Sequence, residues 1–224
     1  MIPWVHLDSA TTPDGQTVRL KQRGAEFSIM LGANELMNSR LSGSEEALAR
    51  LSIAKIAGVP SPHVLIGGLG MGFTLRAALA ELGPSAKVTV AELIPAVVTW
   101  ARGPMDAVFG GCLDDPRVSI RETDVTAPIQ AAKAVYDAIL LDVDNGPEGL
   151  TVDTNDGLYD AAGLARIRAA LRPGGVLAVW SSGPDAGFTR RLRQAGFAVE
   201  EVNVRAHGKR GARHVIWLAA KKSS

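Results

Sequence analysis

Residues Val64–Gly72, V-L-I-G-G-L-G-M-G, constrain this chain more than any other stretch. An apolar run ends in three alternating glycines, Gly68, Gly70 and Gly72, and F-T-L-R-A-A-L-A-E-L follows with helical spacing. The pattern reads as strand, tight turn and helix. Glycine reaches positive φ and lets another group approach the backbone closely. The helix that follows begins with free N–H groups and the positive end of its dipole. Such a turn suits a nucleotide or nucleoside, although a ligand-free turn between strand and helix has the same spacing.

The rest of the chain repeats that unit. Apolar strands at 87–91, 117–121, 136–142 and 176–180 alternate with helices at 95–102, 127–134, 163–171 and 188–195. Near-continuous apolar strands separated by helices predict a largely parallel sheet covered on both faces, with ligands beyond the carboxyl ends of its strands. Residues 197–204 and 214–220 predict a terminal strand pair, joined by the basic loop R-A-H-G-K-R-G-A-R. Residues 1–37 differ: W-V-H-L-D-S-A, T-V-R-L-K-Q-R and E-F-S-I-M-L alternate with period two around a T-P-D-G turn. We therefore expect a small N-terminal β-meander over residues 1–40 and an α/β domain over 41–224. Between them, 43–57 reads as a helix with Ser44 as N-cap and Glu45 and Glu46 in its first turn.

Composition narrows the function classes. Among 224 residues the formal net charge is +1 and there is a single cysteine, Cys112. This balance gives no general drive toward nucleic acid or an anionic membrane, and one cysteine allows neither an intrachain disulfide nor a multi-thiolate metal site. No apolar run reaches a membrane-spanning length of about 18 residues. The expectation is a cytoplasmic protein without nucleic-acid, membrane or metal partners.

The chemistry then falls to acids at strand ends. Glu92 directly follows the second core strand, where a carboxylate can accept two hydrogen bonds from a ribose diol. Asp124 ends the third and could accept from an adenine amino group or cap the next helix. Asp142 and Asp144, in L-L-D-V-D-N-G-P, follow the fourth and should lie beside the glycine turn, where they could hold an amine or act as a base. Asp153, Asp156, Tyr159 and Asp160 extend that acidic region. His63, His207 and His214 lack a zinc-like partner set.

With these residues in view, the chain resembles the class I S-adenosylmethionine-dependent methyltransferase superfamily, and within it the spermidine synthase-like (polyamine aminopropyltransferase) branch. The resemblance spans most of residues 25–182 and rests on M-L-G-A-N-E (30–35), the glycine turn with T-L-R after it, A-E-L-I-P (91–95), D-P-R-V (115–118), Y-D-A-I-L-L-D (136–142), G-L-Y (157–159) and L-R-P-G-G-V-L-A (171–178). It implies a Rossmann-like, mostly parallel seven-stranded sheet with an antiparallel terminal strand, plus the small N-terminal sheet. It implies that Gly68, Gly70, Gly72, Glu92, Asp124 and Asp142 bind S-adenosylmethionine or its decarboxylated form. Asp142 and Asp144 would be the catalytic acids, and Glu46 falls on a glutamate of the family's acceptor-side motif. It also implies a homodimer. The chain departs from the family at Met71, where aminopropyltransferases place the aspartate that receives the donor's amine. Ser44, Glu35 and Arg40 replace a tyrosine, a glutamine and an aspartate, and Ile66 stands where many methyltransferases carry an acid.

Those departures lead to an S-adenosylmethionine-binding transferase, first of all a methyltransferase acting on a small molecule. Aminopropyl transfer to a cationic polyamine is the alternative, and a nucleoside-binding relative without turnover is the third reading.

Overall fold

Strand β5 (His63–Gly67) carries the chain into the middle of a sheet whose alternating side chains divide the core in two. The computed structural model describes residues 2–143, 156–207 and 210–222. Ahead of β5 lie strands β1 (Val5–Thr11), β2 (Thr17–Arg23), β3 (Glu26–Leu31) and β4 (Asn34–Asn38) and helix α1 (Gly43–Lys55). After it come α2 (Phe73–Glu81), β6 (Lys87–Glu92), α3 (Pro95–Arg102), α4 (Asp106–Phe109), β7 (Val118–Glu122), α5 (Thr126–Gln130) and β8 (Tyr136–Leu141). The chain continues through α6 (Asp156–Tyr159), α7 (Ala161–Ala170), β9 (Leu171–Ser181), α8 (Ala186–Gln194), β10 (Phe197–His207) and β11 (Arg210–Lys221).

The seven-stranded sheet has the order β10-β11-β9-β8-β5-β6-β7. Strands β5 to β9 run parallel, and β11 inserts antiparallel to both β9 and β10. This is the α/β architecture expected from the sequence. Side chains on a strand alternate between faces. Accordingly Val64, Ile66, Ala138, Leu140, Val176 and Ala178 join the core shared with α1, α2, α3 and the N-terminal sheet. Leu65, Ile139, Leu141, Leu177 and Val179 join the other core, beneath α5, α7 and α8. Burial on both faces is why these strands read as unbroken apolar runs. The chain builds outward from β5 through β6 to β7, then returns to β8 on the other side of β5. The strand order therefore reverses between β5 and β8, which is where open α/β sheets form their ligand crevice.

The N-terminal sheet has four antiparallel strands, one more than the sequence suggests. The additional β4, N-E-L-M-N, is poor in β-forming residues, but tertiary pairing holds it against β3 (Leu31 with Asn34, Ile29 with Met37). Val18, Leu20, Phe27 and Ile29 from β2 and β3 are buried in the same core as Leu48 of α1.

Three other local expectations change. Ser44 does not cap α1: Ser42 occupies the N-cap without a side-chain cap bond, and Ser44 is buried at 1% exposure. The described residues of the basic segment 205–213 are strand, because β10 and β11 run on until His207 pairs with Arg210. The R-P-G-G stretch that stops α7 is already the beginning of β9, with Leu171 opposite Tyr136. Among the described residues no helix is long and apolar enough to cross a membrane.

Asp137, buried within β8, ties these strands together. Its Oδ2 accepts from the His63 backbone N–H at 2.8 Å and from Arg172 Nη1 at 2.7 Å. Removing the acceptor strands a part-buried backbone donor, which costs about 1–3 kcal/mol. Asp137→Ala should therefore lower the unfolding free energy by roughly 2 kcal/mol in urea titrations.

Candidate functional site

The glycine turn is shaped by close approach. A Cβ on Gly68 (φ +88°) would lie 2.4 Å from the Asp142 carbonyl oxygen, and one on Gly70 (φ +52°) would lie 3.4 Å from Met37 Sδ. Both glycines line a cavity of about 330 Å³. Gly72 (φ +74°) serves packing instead, since its missing Cβ leaves room for the Phe109 ring, 2.6 Å from where that atom would be. It stands at the N-cap of α2 and is not part of the cavity wall.

The cavity lies at the strand-order reversal and is lined by residues from both sheets. The end of β6 supplies Ala91, Glu92, Leu93 and Ile94, and the loops after β7 and β8 supply Asp124, Val125, Asp142 and Val143. The N-terminal sheet closes it with Leu31, Leu36, Met37 and the turn between β1 and β2. In that turn Asp14 accepts from the Thr12 hydroxyl and, at 2.6 Å, from Gln16 Nε2. The volume is at the lower end of ordinary small-molecule sites, about 300–1,000 Å³.

Glu92 is 6% exposed. Its Oε2 accepts from Leu69 N at 2.8 Å and its Oε1 from Ile94 N at 2.9 Å. Burial pushes this carboxyl above the usual carboxylate range, and the backbone donors of Ile94 and Leu69 oppose that rise. Each oxygen has a further lone pair, so the group can still accept from a vicinal diol. Asp124 Oδ1 accepts from Thr126 N at 2.7 Å and Thr126 Oγ1 at 2.6 Å, which fixes the start of α5. Its Oδ2 has no hydrogen-bond partner among the described residues, so the capping and ligand-facing readings of Asp124 are compatible in space.

A second cavity, about 110 Å³, adjoins the first and shares Leu36, Met37, Gly70 and Asp142 with it. Its further walls include Glu45, Met71, Phe73 and Trp180. Asp142 therefore stands where the two spaces meet. Its backbone N–H donates to Gly67 O at 3.0 Å, and its Oδ2 accepts from Thr74 Oγ1 at 2.7 Å. Burial, then the negative Glu45 nearby, pushes the Asp142 carboxyl up to about 7, against the Thr74 bond. Asp142 keeps some accessible surface on the cavity wall, but the surrounding protein dominates its solvation. Glu45 is also shifted upward, chiefly by burial. Two acids that resist ionisation in one apolar pocket can hold a cation or take a proton.

Of the expected site residues, Gly68, Gly70, Glu92, Asp124 and Asp142 thus converge, and Gly72 lies behind them. Asp144, with Asn145–Pro147 and Asp153, lies outside the described residues, as does the side chain of Asp156. The acid of α1 on the cavity wall is Glu45, while Glu46, the residue selected by the motif register, pairs with Arg50 at 3.1 Å. Thr74 and Met37 carry no sequence signal for these roles beyond the T-L-R resemblance at Thr74.

The raised pKa of Asp142 has a stability consequence. An unfolded aspartate titrates near 4. Between about pH 4 and 7 the folded chain binds more protons, so this group's contribution to stability falls as pH rises through that window and is flat above it. Asp142→Asn should remove the decline, raising the unfolding temperature at pH 8 by at least about 2–4 °C, equivalent to about 1 kcal/mol, while changing it little at pH 4. Scanning calorimetry at both pH values checks the sign.

No family model matches the chain. It is 33% identical over 150 residues to the polyamine aminopropyltransferase of Mycobacterium tuberculosis, covering 63% of this chain and 28% of the relative. A second aminopropyltransferase, from Korarchaeum cryptofilum, is 31% identical over 124 residues, 55% of this chain and 36% of that protein. The chain thus spans little more than a third of either curated relative, or less. Spermidine synthase from Thermotoga maritima superposes with a TM-score of 0.76 at 19% identity, over 98% of this chain and 73% of that one. A spermidine synthase in complex with the transition-state analogue AdoDATO gives 0.75 at 20%, with the same coverage. Human methyltransferase-like protein 13, in complex with SAH, gives 0.61 at 17%, over 80% of this chain and 82% of its own. The strand order and the small N-terminal sheet thus form a Rossmann-like α/β fold shared with spermidine synthases and a methyltransferase-like protein, and the matched residues are similar in sequence to polyamine aminopropyltransferases.

Proposed function

We propose that the chain is a transferase of the polyamine aminopropyltransferase type, taking an S-adenosyl donor into the larger cavity and an amine acceptor into the smaller one. The observation that carries this reading is the convergence of Asp142 and Glu45 where the two cavities meet. Similarity to polyamine aminopropyltransferases supports it. The order of readings is therefore the reverse of the sequence-based one, in which methylation of a small molecule came first.

The residues present fit an adenosyl donor. The absence of Cβ atoms at Gly68 and Gly70 leaves a backbone cradle, Glu92 offers two partly occupied carboxylate oxygens to the ribose hydroxyls, and Asp124 Oδ2 is available to an adenine amino group. The donor, once bound, supplies a carbon made electrophilic by the adjacent sulfonium. The chain's part is to align the acceptor nitrogen with that carbon and to remove its proton. Asp142, with a carboxyl near 7, is poised to accept a proton at neutral pH, and Thr74 holds it in place. Glu45 keeps the cationic acceptor in the smaller cavity. Asp144 would be the second acid of the same loop. Alignment and a preorganised field can supply much of the rate.

Met71 favours the second reading, methyl transfer. It is 3% exposed and lines the smaller cavity where an aminopropyltransferase would present an aspartate to the donor's amine. A thioether is at best a weak acceptor and cannot replace that charge.

Calorimetric titration separates these readings. Decarboxylated S-adenosylmethionine should bind at least about tenfold more tightly than S-adenosylmethionine, a difference of about 1.4 kcal/mol. The opposite preference, with a labelled methyl group appearing on an acceptor, would establish the second reading. Glu92→Ala should weaken donor binding by at least about 1.5 kcal/mol. Asp142→Asn should slow transfer to 1,4-diaminobutane by roughly 100-fold at saturating donor. If neither donor binds, both readings fail.

A further inference from the structure

Behind the wall of the smaller cavity, a part-buried polar chain that the assignment above leaves unused leads to Glu45. His214, on β11, lies 2.9 Å through Nδ1 from Ser44 Oγ, and that hydroxyl donates to Glu45 Oε2 at 2.7 Å. The link therefore runs from the terminal hairpin, through a side chain 1% exposed, to the acid of α1 on the smaller cavity. A serine hydroxyl has one proton. With the Glu45 carboxylate as its acceptor, the Ser44 hydroxyl is left to accept from His214, which calls for hydrogen on Nδ1. The imidazole is fixed in orientation by the Trp180 ring, which it meets edge-on at 4.8 Å and 68°. Trp180 lines the same cavity, and its Nε1 has no hydrogen-bond partner among the described residues.

We infer that His214 is a positioning residue for the amine acceptor: acting through Ser44, it holds the Glu45 carboxylate in the orientation that receives the acceptor's ammonium group. The inference rests on the amine-acceptor reading for its substrate, but the hydrogen-bond chain itself can be measured without turnover. Polarisation along the chain strengthens the Ser44–Glu45 bond, as cooperative hydrogen bonds do. It also offsets the surroundings, which disfavour charge on Glu45: burial, Glu46 on the same helix and Asp142 after β8. Arg50 of α1 pairs with Glu46, and Arg76 of α2 also acts on Glu46. On β10, packed against α1, Arg205 Nη1 donates to the Gly211 carbonyl. Burial lowers the His214 proton affinity and so favours the neutral ring, which serves as donor to Ser44 only as the Nδ1–H tautomer. Ser44 stands where the resembling family has a tyrosine, so this link belongs to this chain's own sequence.

Nitrogen-15 NMR of the labelled full chain at pH 8 reads the tautomer directly. Nδ1 should be protonated and Nε2 bare in the parent, and Ser44→Ala should shift the ring toward Nε2–H. A bare Nδ1 in the parent, or the same tautomer in Ser44→Ala, overturns the inference whether or not transfer is seen. In turnover with 1,4-diaminobutane, Ser44→Ala and His214→Phe should raise the KM for the amine about tenfold, with donor affinity within twofold of the parent. Ser44→Thr, which keeps the hydroxyl, and His214→Asn, which keeps a donor, should recover most of it. An unchanged amine KM in both disabling variants, or equal loss of donor affinity, also overturns the role. Failure of the broader reading shows itself separately, as no donor binding by the parent.

Discussion

Everything at the candidate site depends on how closely β5 and β8 can end side by side. The Asp142 carbonyl oxygen occupies the space a side chain on Gly68 would need, and the Asp142 N–H reaches back to Gly67 O. Any residue larger than glycine at position 68 would push the two strand ends apart. It would also have to adopt φ near +88°, a conformation L side chains rarely accept. The reversal in strand order opens a crevice, and this backbone contact sets its floor. Glu92 is then fixed from above by Leu69 N and Ile94 N, so the turn and the end of β6 are one hydrogen-bonded unit. A rigid support of this kind places carboxylates accurately without requiring rearrangement when a ligand arrives.

The N-terminal sheet completes this crevice. Met37 of β4 stands over Gly70, and the β1–β2 turn forms another wall. Its buried residues belong to the same hydrophobic cluster as α1 and the face of β5 bearing Val64 and Ile66. Trp100 of α3 adds a specific tie, donating from Nε1 to Asp8 Oδ2 at 2.7 Å. A four-stranded antiparallel sheet with one exposed edge would be marginal alone; burial of Val18, Leu20 and Ile29 against the larger domain gives it a core.

The sheet was legible from sequence because its signals are local and redundant. Val64–Gly67 and Ala138–Leu141 are apolar at every step because both faces are covered, and each is followed by a residue that lines the crevice, Gly68 or Asp142. Glu92 and Asp142 stand out as the first acids after such runs, and Asp124 follows the third core strand two residues after Glu122. What could not be read is what depends on tertiary approach. Gly72 has the same spacing as Gly68 and Gly70, yet Phe109, 37 positions later, determines its role. Ser44 precedes two acids in a helix-start pattern, yet His214 draws it into the interior. Asn34–Asn38 has almost no strand character of its own and exists as a strand because β3 pairs with it.

The two acids of the smaller cavity set the remaining balance. Asp142 and Glu45 face an apolar enclosure, with Met71, Phe73, Leu36 and Leu69 on its walls. Like charges in such a space oppose each other's ionisation, and burial adds to the effect. An isolated pair would lower the difficulty by keeping a proton. The hydroxyls of Thr74 and Ser44 act in the other direction, each donating to one carboxylate. The result is that Asp142 can gain or lose a proton near neutral pH, with Glu45 beside it shifted in the same direction. A cation entering between them would relieve both desolvation and mutual repulsion, so binding and proton release would be linked: part of the affinity for such a ligand must rise with pH until Asp142 is fully ionised. That linkage follows from the placement of the two acids alone, whichever group the donor transfers.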